Sequence, residues 1–145
     1  MTNPATGGCQ CGAIRYAVTL TSDEAYWCHC RMCQRASGGP AAALLSVPRA
    51  NVEWTTREPD RFASSAIAQR GFCADCGTPL TFEYNEGSSR MDLTVGSLDE
   101  PSRVRLTSHF GTEGWVPHWI AEDGLPRHPT DDNAAIVARW KKAGD

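Results

Sequence analysis

Seven cysteines fall into three short groups along 145 residues. They are Cys9-Gln10-Cys11, Cys28-His29-Cys30-Arg31-Met32-Cys33 and Cys73-Ala74-Asp75-Cys76. An odd count does not pair off into disulfides within the chain, and the regular spacing sets these thiols apart from buried cysteines scattered through a core. In extended chain a C-x-C step brings both thiols to one face, because strand side chains alternate. A C-x-x-C step closes a tight turn in which two sulfurs reach one ion, and Gly77 after Cys76 suits the positive φ such a turn demands. Zinc takes thiolates at ~2.3 Å in a tetrahedron, which these spacings supply. Iron–sulfur clusters draw four cysteines from one local run, a pattern not present here.

Seven ligands divide naturally into four and three. A closed set of four thiolates is structural, whereas three protein ligands leave a position for water or substrate. Cys28, Cys30 and Cys33 lie in one short segment and are the economical choice for the open site. Cys9, Cys11, Cys73 and Cys76 would then tie the first strand to a distant turn. Spacing alone leaves other groupings open, with Cys28 as the residue that could belong elsewhere.

Three thiolates leave a zinc site with one net negative charge, a poor setting for activating water. A substrate thiol fits better, since the metal lowers its pKa below the free value of ~8.5. Attack of that sulfur on an aldehyde carbon gives a hemithioacetal, and the reverse releases the aldehyde. Alternatively the metal polarises the carbonyl while a thiol attacks from outside. A deaminase is excluded: the glutamate those enzymes place two residues after the first ligand is absent, Cys28 being followed by His29 and Cys30.

Around the trio, His29 is expected to face away from the metal on a strand, in packing or a supporting hydrogen bond. Arg31 and Arg35 offset the thiolate charge, or hold a substrate carboxylate, or are solvated surface groups. Arg15 and Arg70 are expected to be structural. The tryptophans are core or rim residues by default, and His109, His118 and His128 are expected on polar surface.

The elements that must position these residues are mainly short strands. Ala13–Leu20 alternates apolar and polar residues, as a half-buried strand does. Further strands are expected at Ala25–Cys30, Ala41–Val47, Val52–Thr55, Phe62–Gln69, Leu80–Tyr84, Met91–Val95 and Val104–Phe110, with turn signals between most of them. Gly7-Gly8 is expected to end a loose N-terminus. One short C-terminal helix follows, capped by Asp131 or Asp132, with Ile136, Val137 and Trp140 on one face and Lys141 and Lys142 at its end.

Composition agrees with an ordinary globular protein of one domain, 1–145: hydrophobic residues are 41% and charged residues 21%. The net charge of −3, without a basic block, argues against nucleic-acid binding. No apolar run approaches the ~18 residues of a membrane helix. The opening residues lack a signal-peptide pattern, so a cytoplasmic location is expected.

Gly8-Cys9-Gln10-Cys11-Gly12-Ala13-Ile14-Arg15-Tyr16, the Cys28–Cys33 run and Phe72-Cys73-Ala74-Asp75-Cys76-Gly77-Thr78-Pro79-Leu80 resemble the glutathione-dependent formaldehyde-activating (GFA) family, whose relatives include centromere protein V. Trp119 and Leu125-Pro126 resemble its C-terminal signature, so the likeness runs from about residue 8 to 126. It implies a mainly β, zinc-stapled β-tent fold. It also implies a structural zinc on Cys9, Cys11, Cys73 and Cys76 and a second zinc on Cys28, Cys30 and Cys33. The expected function is that of a carbon–sulfur lyase, joining or parting a glutathione-like thiol and a small aldehyde such as formaldehyde, with Cys28, Cys30 and Cys33 as its working centre. The resemblance also places Trp119 near a pocket. Gln34 and His128 depart from the family pattern, in segments that could shape the substrate pocket. The rival expectation is a non-catalytic, zinc-stabilised interaction domain; metal storage is disfavoured by the extent of ordered β structure.

Overall fold

Two sheets organise the residues described by the structure, a computed structural model covering 3–144. Met1, Thr2 and Asp145, at the ends of the expected domain, lie outside them. The smaller sheet joins β1 (Asn3–Gly8), β2 (Arg15–Leu20) and β5 (Val52–Trp54) in the order β1-β2-β5. The larger sheet is built from β3 (Glu24–Cys28), β4 (Ala42–Pro48), β6 (Asp60–Ala63), β7 (Ala68–Phe72), β8 (Pro79–Tyr84), β9 (Arg90–Thr94), β10 (Arg105–Phe110) and β11 (Arg127–His128). Its order is β11-β10-β3-β4-β9-β8-β7-β6. Among the described residues, only β10 pairs in parallel fashion, with β3 and with β11. The expected mainly β class is the one the chain adopts.

Register decides what each face of the larger sheet carries. Leu45 is paired with Leu93 and Val47 with Met91, so these four share a face. That face packs with Ile14, Tyr16, Val18 and Leu20 into the main core. Burying such side chains contributes ~1.5–3 kcal/mol each. On the opposite face the pairs Tyr26↔Leu44, Cys28↔Phe110, Ser46↔Asp92, Phe82↔Asp92 and Arg70↔Phe82 line up a different set. Two helices lie at this second face: α1 (Arg31–Ser37), which carries Cys33, and α2 (Ala134–Ala143), whose Ile136 and Trp140 pack with Phe82, Tyr84 and Phe110.

Several sequence expectations are corrected. The loose N-terminus is an edge strand, β1, paired along its length with β2. It carries little alternation because Gly7 lies opposite Tyr16, where a Cβ would meet the tyrosine hydroxyl at 2.4 Å. The strand expected over Phe62–Gln69 is a hairpin of β6 and β7, turned where Ser64 N–H and Ser65 N–H donate to the Ala68 carbonyl. The strand at Ala25–Cys30 stops at Cys28, and helix α1 follows at once. Its seven residues bury only Cys33 and Gln34, too few for a periodic stripe. At α2 the cap is Asn133, whose Oδ1 accepts from Ile136 N–H at 3.1 Å; Asp131 and Asp132 belong to the preceding 3-10 turn.

Candidate functional site

The four-sulfur cluster forms where two strand ends meet. Cys9 follows β1, and its carbonyl accepts from Gly12 N–H at 3.2 Å; Cys73 follows β7, and its carbonyl accepts from Gly77 N–H at 2.7 Å. Gly12 and Gly77 sit at φ 82° and 81°, the left-handed conformation that tightens each turn. Gln10 N–H donates to Thr78 Oγ1, locking one turn onto the other. The Cys9-x-Cys11 pair, like the Cys73-x-x-Cys76 pair, is therefore set by a turn rather than by strand alternation. Cys9 and Cys11 sulfurs are 3.6 Å apart and Cys11 and Cys73 sulfurs 3.8 Å. A tetrahedron with ~2.3 Å bonds has edges of ~3.8 Å, so the set fits a zinc ion. All four ligand atoms lie within 4.8 Å of one another. Ile14 N–H donates to Cys9 Sγ at 3.3 Å. Hydrogen bonding from the Thr78 hydroxyl, above all, holds the Cys76 thiol down at about 6.

The second cluster comes from one strand end and one helix start. Cys28 closes β3, Cys30 caps α1 and Cys33 sits in its first turn. Their sulfurs also lie within 4.8 Å of one another, with Cys28 and Cys30 at 3.6 Å. Cys33 N–H donates to Cys30 Sγ at 3.3 Å. Hydrogen bonds from the thiols of Cys28 and Cys33 hold Cys30 well below the ordinary thiol range, while Cys28, sharing those contacts, is pushed up. Arg70, buried on β7, donates to Cys33 Sγ at 3.3 Å and lays its guanidinium 4.9 Å from the Phe82 ring centre. The donor set and spacing fit zinc here as well.

His29 lies between Cys28 and Cys30 but is turned into the protein interior. Its Nε2 meets His109 Nδ1 at 2.8 Å, and His109 Nε2 meets Asp123 Oδ2 at 2.8 Å. Trp115 stacks on His29 at 4.4 Å. The packing expected of His29 is found, though it follows a strand rather than lying on one. His109, expected on polar surface, is instead fully buried on β10. Gly111 and Gly114 allow this loop to pass under Cys30: a Cβ on Gly114 would lie 2.1 Å from the His29 carbonyl oxygen. Gln34 is buried, donating to the carbonyls of Pro40 and Gly114.

Beside the three sulfurs opens a cleft of about 70 Å³, walled by Tyr26, Leu44, Phe82, Phe110, Ile136 and Trp140. A second, more polar cleft shares Tyr26, Phe82 and Ile136 and adds Ser46, Asp92 and Arg139. Tyr26 Oη donates to Asp92 Oδ2 at 2.6 Å. Burial pushes the Asp92 carboxyl up to about 6 against the pull of that hydrogen bond and of Arg90 and Arg70. Arg31, Arg35 and the exposed Trp119 border a separate groove on the outer side of α1, so Trp119 is beside a groove but not at the sulfurs. Arg15 pairs with Asp99, far along the chain from the trio. Sequence reasoning missed Tyr26, Asp92 and Phe82, whose role depends on strand register rather than on any motif.

Comparisons with known proteins agree with this picture. The family model described as glutathione-dependent formaldehyde-activating enzyme matches residues 4–114. An uncharacterized lyase of Schizosaccharomyces pombe is similar, at 31% identity over 83 residues, covering 57% of this chain and 60% of that protein. This chain thus spans less than two thirds of that relative's length. A crystal structure of a Rhodobacter sphaeroides protein shares the fold with a TM-score of 0.54 at 20% identity, covering 84% of this chain and 98% of that one.

Proposed function

The chain belongs to the glutathione-dependent formaldehyde-activating family, and from that premise we propose that it is a zinc-dependent carbon–sulfur lyase, joining and parting a glutathione-like thiol and an aldehyde. The observation that carries this reading is the contrast between the two cysteine clusters. Cys9, Cys11, Cys73 and Cys76 are complete as a tetrahedral set and serve as a staple. Cys28, Cys30 and Cys33 are one ligand short and line a cleft. When bound by those three sulfurs, zinc supplies the acidity that keeps a substrate thiol as thiolate near neutral pH.

The protein's own residues supply the rest. The Arg70 guanidinium, held at Cys33, offsets the negative charge of three thiolates. The apolar wall of Phe82, Phe110 and Ile136 limits water around the reacting atoms. When the thiol sulfur bonds to the carbonyl carbon, the C=O π pair moves onto oxygen, which takes the Tyr26 Oη proton while Asp92 passes its proton to Tyr26. In the reverse direction the hydroxyl of the adduct gives its proton to Tyr26 Oη, and the Tyr26 proton passes to Asp92 at 2.6 Å.

Metal analysis and two variants test the reading. The purified protein is expected to hold about two zinc ions per chain, one for each cluster. Cys33→Ser should lose one of them and remain folded; Cys76→Ser should unfold, because binding of a structural zinc contributes ~10–16 kcal/mol to folding. NMR of glutathione with formaldehyde and larger aldehydes should show accelerated adduct exchange, abolished in Cys33→Ser. No acceleration with any thiol would replace this reading with that of a non-catalytic interaction domain.

A further inference from the structure

The cavity beside Cys28, Cys30 and Cys33 encloses only about 70 Å³, well below the ~300–1,000 Å³ of a small-molecule pocket. It has room for reacting atoms and not for the body of a substrate. Space for that body lies in the second cleft, of about 390 Å³, which shares the walls Tyr26, Phe82, Phe110 and Ile136. This cleft is polar, with Ser46, Arg90, Asp92 and Arg139 on its lining.

Two guanidiniums stand at its far end. Arg90 donates through Nε to Ser46 Oγ at 2.9 Å and through Nη2 to the Ser46 carbonyl at 3.0 Å. Arg139 lies 4.1 Å from the Tyr84 ring centre and donates to the Gly87 carbonyl. Tyr84 and Arg90 each stand two residues beyond the Phe82↔Asp92 pair, which brings both cations to one end. Neither is ion-paired with a carboxylate among the described residues, and Asp92, the one carboxyl among the described residues of the lining, is engaged by Tyr26 Oη. The Arg139 Nε is buried and meets no acceptor among the described residues. Unpaired guanidiniums beside an unmatched buried donor suit an oxyanion, which such groups grip with two hydrogen bonds at once.

Strand register sets how far that end lies from the sulfurs. Ala42 pairs with Cys28, and Ser46, which holds Arg90, is four residues further along β4. At ~3.3 Å per residue the Arg90 guanidinium is ~13 Å from the end of β3. We propose that this end of the cleft binds a carboxylate carried by the thiol substrate, so that Arg90 and Arg139 select thiols whose carboxylate lies a tripeptide's length, ~10 Å, from the sulfur over shorter or uncharged ones. This assignment rests on the thiol–aldehyde reading above. A guanidinium–carboxylate hydrogen bond of ~2.9 Å makes up the remaining distance. A thiol with its carboxylate on the same residue as its sulfur, such as N-acetylcysteine, falls short of both arginines. Arg139 belongs to α2, beyond the 4–114 span matched by the family model, so half of this site comes from the chain's own C-terminal segment.

Binding and kinetics test it together. S-methylglutathione, whose capped sulfur cannot react, is titrated into the zinc-loaded protein and followed through the arginine Nε–H signals in NMR spectra, that of Arg139 assigned with Arg139→Gln. Saturable binding is expected, weakened at least tenfold when the carboxylates of the ligand are esterified. Arg90→Gln and Arg139→Gln should each weaken the acid at least fivefold and change the ester less than twofold, whereas a merely structural loss weakens both ligands alike. In adduct formation with formaldehyde, KM for N-acetylcysteine should exceed that for glutathione at least tenfold, and the gap should close in both variants. Acid and ester bound alike, or a thiol preference untouched by both substitutions, would overturn the carboxylate site and leave the lyase reading intact. Charge-dependent binding with no adduct chemistry for any thiol would overturn the lyase reading and with it the assignment to a substrate, leaving only an anion site. If Arg139→Gln fails to fold by circular dichroism, Arg90→Gln, at an exposed strand end, decides with the same expectations.

Discussion

Arg70 occupies the most consequential position of any single side chain outside the cysteines. Buried on β7 and aimed at Cys33 Sγ, it has, among the described residues, no other anion at hydrogen-bond distance, and so serves the thiolate cluster. Arg70→Met should therefore keep the fold while weakening zinc at the three-sulfur site ~10–100-fold, the usual consequence of losing a group that supports a metal ligand. Competition with a graded chelator reads this directly, and an unchanged affinity at that site would remove Arg70 from the centre. Asp92 gives a prediction of opposite sign. Its folded-state pKa, about 6, stands above the ordinary 3.8 because of burial. Between those values the folded protein holds a proton that the unfolded chain releases, so this group's contribution to stability grows as pH falls from about 6 towards 4 and is lost as pH rises through 6. Asp92→Asn should raise the urea midpoint at pH 7.5 more than at pH 5. Equal shifts at the two pH values would show that Asp92 does not titrate in this window.

Among the elements, the join between β3 and α1 sets the geometry of the open cluster. Neither element alone brings three sulfurs together; the loop after β10 supports the join from beneath through Gly111 and Gly114. His29, stacked on Trp115 and hydrogen-bonded through His109 to Asp123, pins the same join from the interior side. Gly114→Ala would press a Cβ into the His29 carbonyl and displace Cys30. Overpacking of this kind costs ~1–3 kcal/mol. Thermal melts should show that loss, and zinc content should fall towards one ion per chain; a variant that still binds both ions would show that the loop does not support Cys30. Helix α2 closes the cleft rather than contributing to the main core, since its buried Ile136 packs with Ile67 and Ala68 in a cluster of its own.

At the scale of the whole molecule, the four-sulfur staple joins the end of β1 in the small sheet to the end of β7 in the large one, two strands that no hydrogen-bonded pairing connects. Net stabilities of domains are only ~5–15 kcal/mol, comparable with the binding energy of one structural zinc. Prolonged chelation should therefore abolish the cooperative thermal transition seen by circular dichroism, and readdition of zinc should restore it. A chelated protein that melts within a few degrees of the native one would show that the sheets hold together without the metal. The cysteine groups, the mainly β class and the C-terminal helix were all legible in the residues themselves, because ligand spacing, alternation and helical periodicity are local properties of a chain. Hidden from that reading were β1, whose Gly7 makes room for Tyr16, the seven-residue α1, and the identity of Arg70, Tyr26, Asp92 and Phe82 as neighbours of the sulfurs. Those residues come together only through the register of β3, β4, β9, β8 and β7. Pairing between strands distant in the chain is decided by the packing of both sheet faces at once, which no short window of sequence contains.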